Sequence, residues 1–283
     1  MIVSMLSRFD HKASVTYTHT HTHTLYELTH SLTHLPSNIR YRSRGWCVLE
    51  MFASFLSRDK SHPCLLLTSK EGLPSFYSPL NIQTLAVGTS DFTCCQRNHI
   101  FDGIDVSCDR KVTKSILNDM IESKMLHSFQ LGHYVHARLF VCFRNWWLRV
   151  ATQQEESHFE HIESFKSILR WNTNDSACEW SDQGGIPILT YAVLCNDTNV
   201  VQSILSSKIC TKDRLDKKYL KKGIPNFGIP AKHTILHVAM LYANLKIVRM
   251  LLESGVNPHT RDSNGLDPLM YGFHFQYTLK KSF

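Results

Sequence analysis

The clearest pattern of hydrophobic and polar positions in the chain lies between residues 232 and 271. Two stripes of apolar residues, spaced three and four apart, predict two consecutive short helices. The first stripe is Leu236, Ala239 and Met240, and the second is Ile247, Val248, Leu251 and Leu252. Gly255 follows, where a helix that turns back needs a residue that accepts positive φ. Turn-forming residues come next, so the unit reads as helix, turn, helix and loop.

This unit recurs along the chain. TILHVA at 234–239 is answered by DPLMYG at 267–272, a spacing of 33 residues. An earlier copy occupies 185–205, and its alignment rests on shared apolar positions: Leu189 on Leu236, Ala192 on Ala239, Val201 on Val248, and Ile204 and Leu205 on Leu251 and Leu252. The offset between these two copies is 47 residues, so about 14 residues have been inserted beyond a 33-residue period. We place the insertion at 206–230.

The repeated segment resembles the ankyrin repeat family, whose Thr-Pro-Leu-His-x-Ala signature opens the first helix of each repeat. Thr234, Leu236, His237 and Ala239 match that signature, and Ile235 replaces the proline. The last unit keeps Pro268 and Leu269 but has Asp267, Met270 and Gly272 at the other signature positions. The resemblance implies a mostly α fold class, with an ankyrin-repeat helical solenoid of two to three units at 172–275. It also implies structural roles for Thr234 and His237, because in the family these side chains tie the helix start to adjacent backbone.

Stacked repeats present a rigid concave surface, which suits the recognition of another protein. We therefore expect a protein–protein interaction module without catalytic activity of its own. The residues expected to bind the partner lie between the two helices and in the loop that follows them: Tyr242, Asn244, Val256, Asn257, His259, Arg261, Asp262 and Asn264.

The segment upstream predicts a smaller α/β piece at 41–124. An amphipathic helix is expected after Gly45 and a strand at 64–68. RGWCVLE at 44–50 resembles the Trp-Cys-x-x-Glu segment of TIR domains, whose glutamate helps enzymatic members cleave NAD. Glu50 has that spacing from Trp46, so the alternative function is a TIR-like NAD hydrolase or degenerate signalling domain with the repeats as targeting module. The strands and nucleotide-facing loops that precede this segment in TIR domains are absent, and the other interpretation puts Glu50 on the wet face of a surface helix.

Residues 1–40 differ from the rest in composition. Thr18 to Thr24 alternate with histidine, and an extended chain would put His19, His21 and His23 on one side, as a metal site requires. No cysteine or carboxylate completes a ligand set, so we expect a disordered, low-complexity tail.

Cys94, Cys95, His99 and Cys108 are of the residue types that bind zinc. Structural zinc sites usually take ligands paired two to four residues apart, and adjacent cysteines followed by a single His and a single Cys fit that spacing poorly. We favour packed, reduced thiols, with zinc as the alternative. The prediction is therefore no metal site and no cofactor.

Two further helical stretches are predicted. The face formed by Val112, Ile116, Leu117, Met120 and Ile121 predicts a helix over 111–124, with Asp109 as its N-cap or first-turn acid. Residues 125–171 are dense in aromatic residues at helical spacing. Such a stripe could mark a membrane-surface helix, but we favour a connector that caps the repeat stack, because the end of a solenoid must be covered.

The lysines and arginines of the insertion at 206–230 could contact phosphates or an acidic partner; we favour a solvated loop.

The composition limits the remaining choices. Apolar residues make up 43% and charged residues 19% of 283 residues, which suits a globular chain. The formal net charge of +7 does not require a nucleic-acid partner, and none is predicted. Nine scattered cysteines do not form a secreted disulfide framework. No signal peptide or membrane span is expected, so the predicted location is cytoplasmic. Motifs of nucleotide-binding loops, zinc proteases and serine hydrolases are missing from the sequence.

Overall fold

A computed structural model describes residues 41–57, 64–66, 75–77, 82, 85–149, 159, 161–171, 180–219, 223–224, 227, 229, 231–242 and 245–272. The predicted disordered tail at 1–40 and the predicted binding residue Asn244 lie outside the described residues.

The first half of the described chain is mainly helical. Its helices are α1 (Gly45–Leu56), α2 (Thr93–Gln96), α3 (Asp109–Gln130) and α4 (Tyr134–Leu148), with a 3-10 turn at Val87–Thr89. Two antiparallel hairpins accompany them, one of β1 (Cys64–Leu66) and β2 (Ser75–Tyr77), the other of β3 (Ile100–Phe101) and β4 (Ile104–Asp105). The strand predicted at 64–68 is thus found as β1. The helix predicted at 111–124 is longer and runs across residue 124, the predicted division between the α/β piece and the connector.

Helix α3 packs against both α1 and α4. Its Leu117 and Ile121 are fully buried, as are Phe52 of α1 and Trp147 of α4. The rings of Phe52 and Trp147 have centroids 5.4 Å apart, which joins α1 directly to α4. Val112, which the helical pattern placed on the buried face, lies in the first turn of α3 and is 40% exposed instead. Asp109 lies in that first turn and accepts a hydrogen bond from Trp46 Nε1 at 3.2 Å.

The second half is built from pairs of short helices. They are α5 (Ile162–Ile168), α6 (Ile188–Leu194), α7 (Thr198–Leu205), α8 (Lys212–Leu215), α9 (Ile235–Tyr242) and α10 (Leu245–Glu253), followed by helical backbone at 268–272. Helix α6 packs against α4 on one side and α9 on the other, while α7 packs against α5 and α10. Two rows result, α4–α6–α9 and α5–α7–α10, and α6 with α7 and α9 with α10 form successive layers of a stack.

The predicted repeat register is found in this stack. The aligned residues Leu189 and Leu236, and Ala192 and Ala239, are all buried at the contact between α6 and α9. Val201, Ile204, Ile247 and Leu251 are buried in the other row. The aromatic stripe of α4 also lies in the core, against α3 and α6, rather than on a surface. No described helix combines the length and apolarity that a bilayer crossing demands.

Three residues of the second stripe and of its earlier copy are less buried than the helical pattern predicted. Leu252 is 44% exposed, and Val248 and Leu205 are only partly buried. Helix α10 turns Ile247 and Leu251, one helical turn apart, towards α7, and Leu252 lies about 100° further round the helix. Among the described residues α10 is the last helix of its row, so none of them covers this side.

The insertion at 206–230 was wrongly predicted to be only a solvated loop. Its described basic side chains are exposed, but five apolar and aromatic residues between them are buried: Leu215, Tyr219, Ile224, Phe227 and Ile229. The Phe227 ring lies 5.4 Å from that of Phe140 and 5.6 Å from that of Phe143. Phe227 of the insertion therefore fills the junction between α4 and α9, where its carbonyl also accepts a hydrogen bond from the Tyr242 hydroxyl.

Candidate functional site

Two loops of the stack share one construction, 80 residues apart. In the first, Asp182 Oδ1 accepts a hydrogen bond from the Ile186 amide at 2.9 Å, and Oδ2 accepts one from the Tyr191 hydroxyl at 2.7 Å. In the second, Asp262 Oδ1 accepts from the Leu266 amide at 3.0 Å, and Oδ2 accepts from the Tyr271 hydroxyl. Each aspartate thus closes the turn that precedes a helix and holds it to the tyrosine on that helix.

The same turn occurs once more, in a changed form. Gly185 and Gly265 have φ of 78° and 77°, in the left-handed region that glycine tolerates best. The corresponding residue in the copy between them is Lys232, which adopts φ of 60°. Its backbone follows the repeat although its side chain disfavours that conformation.

A buried arginine fixes the first of these loops to the rest of the stack. Arg138 of α4 donates from Nε to the Leu169 carbonyl at 3.0 Å and from an Nη to the Arg170 carbonyl at 3.1 Å. It also forms an ion pair with Asp182 at 3.1 Å, and the two side chains are 7% and 2% exposed. The arginine therefore satisfies the carbonyls at the end of α5 and the carboxylate of the next loop together. This network was not predicted from the sequence; the Asp-x-x-Gly spacing shared by the two loops indicated the repeated turn but not its bond to Arg138.

Thr234 and His237 have the structural roles that the resemblance implied. The Thr234 amide donates to Nδ1 of His237 at 3.1 Å, and the Thr234 hydroxyl lies 2.8 Å from the same nitrogen. Because Nδ1 accepts, the proton is on Nε2, which donates to the Leu266 carbonyl at 3.1 Å. The imidazole thus joins the start of α9 to the following loop, and the Ser263 amide adds a bond to the Ala231 carbonyl at 3.2 Å.

A second buried imidazole lies against the first. The rings of His233 and His237 are stacked with centroids 4.9 Å apart, and the His233 ring meets Tyr271 edge-on. Burial and the neighbouring His237 lower the pKa of His233 to about 4, although Asp262 lies 3.5 Å away and acts in the opposite direction. Burial also lowers the pKa of His237. Both rings are therefore neutral at pH 7, where a charge in this core would be costly.

The predicted binding residues that the structure describes differ in their exposure to solvent. Val256 is 3% and Asp262 7% exposed, so these side chains belong to the buried framework of the loop. Tyr242 is partly buried, donates to the Phe227 carbonyl at 3.2 Å and packs on Phe143. The exposed members are Asn257, His259, Arg261 and Asn264, which share one loop.

This exposed loop is itself well held. The Asn257 amide donates to Asp216 Oδ1 at 2.7 Å, which joins the loop to the insertion. Asn257 Oδ1 accepts from the His259 amide at 2.9 Å, and Asp262 Oδ1 accepts from the Asn264 amide at 2.8 Å. The arrangement offers a fixed, polar rim, which is suited to contact with a macromolecule.

Glu50, the candidate of the alternative function, is exposed on α1 and accepts a hydrogen bond from the Tyr41 hydroxyl at 2.8 Å. The described strands form only two-stranded antiparallel hairpins. The hydrogen bond to Tyr41 does not test catalysis, so the NAD-hydrolase interpretation stays a prediction. Nicotinamide release by the wild type and by Glu50→Ala would test it.

The structure brings together four residues whose spacing in the sequence argued against a zinc site. The side-chain donor atoms of Cys94, Cys95, His99 and Cys108 all lie within 4.8 Å of one another. The separation of these residues along the chain was therefore a poor guide to their separation in space.

Comparison with known proteins agrees with the stacked helix pairs. Residues 154–262 match the family of ankyrin repeats, in three copies. The matched range includes α5 and so begins upstream of residue 172, the predicted start of the repeats. No curated protein matches the chain. The C-terminal part therefore carries ankyrin repeats, which indicate a protein-interaction module.

Proposed function

We propose that the ankyrin repeats at 154–262 bind a partner protein through the exposed rim of the loop at 257–264. The observation that carries this proposal is the difference in burial along the loop. Asp262 and Val256 are buried in the stack, whereas Asn257, His259, Arg261 and Asn264 face solvent. A loop that is anchored in the stack by two buried side chains and exposes four polar side chains to solvent is suited to recognition.

The rigidity of the rim supports this role. Its backbone is tied to the insertion through Asp216, to the preceding loop through Ala231, and to α9 through His237. Ordering a mobile loop costs free energy when a partner binds, and a loop held in place beforehand avoids most of that cost.

The charge around the rim favours a partner surface rich in aspartate and glutamate. The insertion beside it carries five basic residues at 206–219, namely Lys208, Lys212, Arg214, Lys217 and Lys218, against Asp213 and Asp216. Lys232 and Arg261 are also exposed on the two loops that the Ser263–Ala231 bond joins. Charges of one sign at a rim mainly raise the association rate and select the partner.

Affinity capture from cell extract tests the proposal. The full chain is compared with a variant that carries Asn257→Ala, His259→Ala, Arg261→Ala and Asn264→Ala, and captured proteins are quantified by mass spectrometry. We expect proteins that the wild type enriches to be lost from the loop variant, and their capture to weaken as salt is raised.

The matched control changes Lys246, Arg249 and Glu253 to alanine on the exposed side of α10. This variant should capture the same proteins as the wild type. Equal capture by the loop variant and the wild type, with both chains folded by circular dichroism, would place the binding site elsewhere.

A further inference from the structure

Four potential metal ligands converge between α2 and α3. Sγ of Cys95 lies 3.9 Å from Sγ of Cys94, 3.7 Å from Sγ of Cys108 and 3.6 Å from Nε2 of His99. Every pair of these four donor atoms is within 4.8 Å. A tetrahedral zinc ion with Zn–S bonds of about 2.3 Å and a Zn–N bond of about 2.0 Å would have S···S edges of about 3.8 Å and S···N edges of about 3.5 Å.

The local backbone explains how residues with unfavourable spacing meet. Cys94 and Cys95 lie on α2, and Asn98 and His99 then take left-handed conformations with φ of 52° and 62°. These two residues reverse the chain, so that the His99 amide donates to the Cys94 carbonyl at 2.7 Å. The β3–β4 hairpin returns the chain to Cys108, immediately before α3. The ligands are therefore supplied by a helix, a reversed turn and the N-terminal end of a second helix.

The surroundings of the sulfur atoms are those of ligands. The Asp109 amide donates to Sγ of Cys94 at 3.3 Å, an interaction that orients and stabilises a thiolate in the outer shell of a metal site. Arg110, two residues after Cys108 in the first turn of α3, donates from an Nη to the Ser90 carbonyl at 3.3 Å, and its Nε is buried without a hydrogen-bond partner among the described residues. Three thiolates and a neutral imidazole around Zn²⁺ carry a net charge of −1, which this guanidinium would offset.

Residues 92–108 also have few buried apolar side chains to hold them in place. Ile100 and Ile104, the apolar residues of the hairpin, are 50% and 68% exposed, and only Phe92 and Cys94 of residues 92–108 are buried. A short segment without a core of its own is commonly fastened by a metal ion or a disulfide. A Cys95–Cys108 disulfide would require the two sulfur atoms to approach from 3.7 Å to about 2.0 Å, and it would leave His99 and Cys94 unused.

We propose that Cys94, Cys95, His99 and Cys108 bind one Zn²⁺ ion in a closed structural site that fastens residues 93–108 to the start of α3. On binding, each thiol loses its proton to solvent and its sulfur gives an electron pair to zinc, so up to three protons are released and no group is oxidised or reduced. The four protein ligands complete the coordination, which makes the site structural rather than catalytic.

Metal analysis of the purified full-length chain tests the site. Because the His–Thr tract could also hold metal, the background chain carries His19→Ala, His21→Ala and His23→Ala. We expect one zinc per chain by elemental mass spectrometry, and near zero after Cys95→Ser with Cys108→Ser. Cys210→Ser, a partly buried cysteine outside the cluster, serves as the control and should keep the zinc.

Cobalt provides a second measurement that needs no variant. Co²⁺ replacing zinc in the wild-type chain should give the intense visible absorption of tetrahedral cobalt together with a thiolate-to-cobalt charge-transfer band. Failure to bind either metal under reducing conditions would overturn the proposal, as would full zinc retention by the double serine variant. An intact mass two daltons low without metal would show a disulfide, which also contradicts it.

Discussion

The hydroxyl of Tyr191 donates a hydrogen bond to the carboxylate of Asp182 at 2.7 Å, and both groups are buried. The same bond joins Tyr271 to Asp262, 80 residues further along the chain. Each aspartate also accepts a bond from an amide four residues on. These two copies show that the stack repeats its polar connections as well as its apolar contacts.

Removing the first of these hydroxyls should weaken the stack. Tyr191→Phe leaves Asp182 bonded to Arg138 and the Ile186 amide but removes one donor to a buried carboxylate. We expect the free energy of unfolding in urea to fall by about 1–3 kcal/mol. Tyr134→Phe, at an exposed position, is the control and should change it by less than about 0.5 kcal/mol. Equal stabilities for the two variants would show that the Tyr191 bond contributes nothing.

We expect Arg138 to contribute more to the free energy of unfolding than any exposed basic residue does. Arg138→Leu leaves the buried carboxylate of Asp182 without its cation and frees the carbonyls of Leu169 and Arg170. We expect a loss of about 3–5 kcal/mol in unfolding free energy, since one partner of a buried ion pair remains. Arg249→Leu on the exposed side of α10 should be nearly neutral. A loss below about 1 kcal/mol for Arg138→Leu would contradict a large contribution of this network to stability.

Lys232 should be a strained position. Its φ of 60° lies in the left-handed region, where the equivalent turns have Gly185 and Gly265 with φ of 78° and 77°. Lys232→Gly should therefore raise the unfolding free energy by about 0.5–1 kcal/mol. Lys246→Gly, within α10, should instead lower it by about 1 kcal/mol. Thermal melts of both variants check the sign, and a destabilised Lys232→Gly would mean that the lysine side chain makes contacts that outweigh its backbone cost.

The stack should lose stability in mild acid. Burial lowers the pKa of His233 to about 4, whereas an unfolded histidine titrates near 6.5. Between these values the unfolded chain binds a proton that the folded chain does not, so stability is complete above about pH 6.5 and falls as the pH falls towards 4. We expect a loss of about 2 kcal/mol at pH 5 relative to pH 8 from this residue.

The matched variants for this pH dependence are His233→Phe and His259→Gln. His233→Phe keeps an aromatic ring against His237 and Tyr271 but cannot take up a proton, so it should reduce the loss at pH 5. His259 is exposed, and its replacement should leave the pH profile of urea unfolding unchanged. A profile that is the same for His233→Phe and the wild type would assign the acid sensitivity to other groups.

The sequence predicted the apolar contacts of the stack because they recur at a fixed step. Leu189, Leu236, Ala192 and Ala239 each occupy a helix face that must be buried, so periodicity alone identifies them. Leu252 has the same helical spacing but is exposed, because burial at the end of a row depends on whether a neighbouring helix is present. Spacing identifies the face of a helix but not what lies opposite that face.

Contacts between distant residues could not be predicted in this way. Phe227 fills a core junction although it lies in a segment dominated by charge, and Arg138 bonds to Asp182 across 44 residues. The cysteine cluster depends on the left-handed backbone of Asn98 and His99, which no ligand-spacing rule anticipates. In each case the deciding factor is the path of the backbone between residues far apart in sequence.

Site-specific photo-cross-linking tests the central claim most directly. A benzophenone amino acid is introduced in place of His259 in the full chain, or in place of Arg249 on the exposed side of α10 as the matched position. Irradiation in cell extract should join the chain with the probe at 259 to a discrete partner protein that the chain with the probe at 249 does not capture. Equal cross-linking from both positions, or from 249 alone, would contradict a binding rim at 257–264.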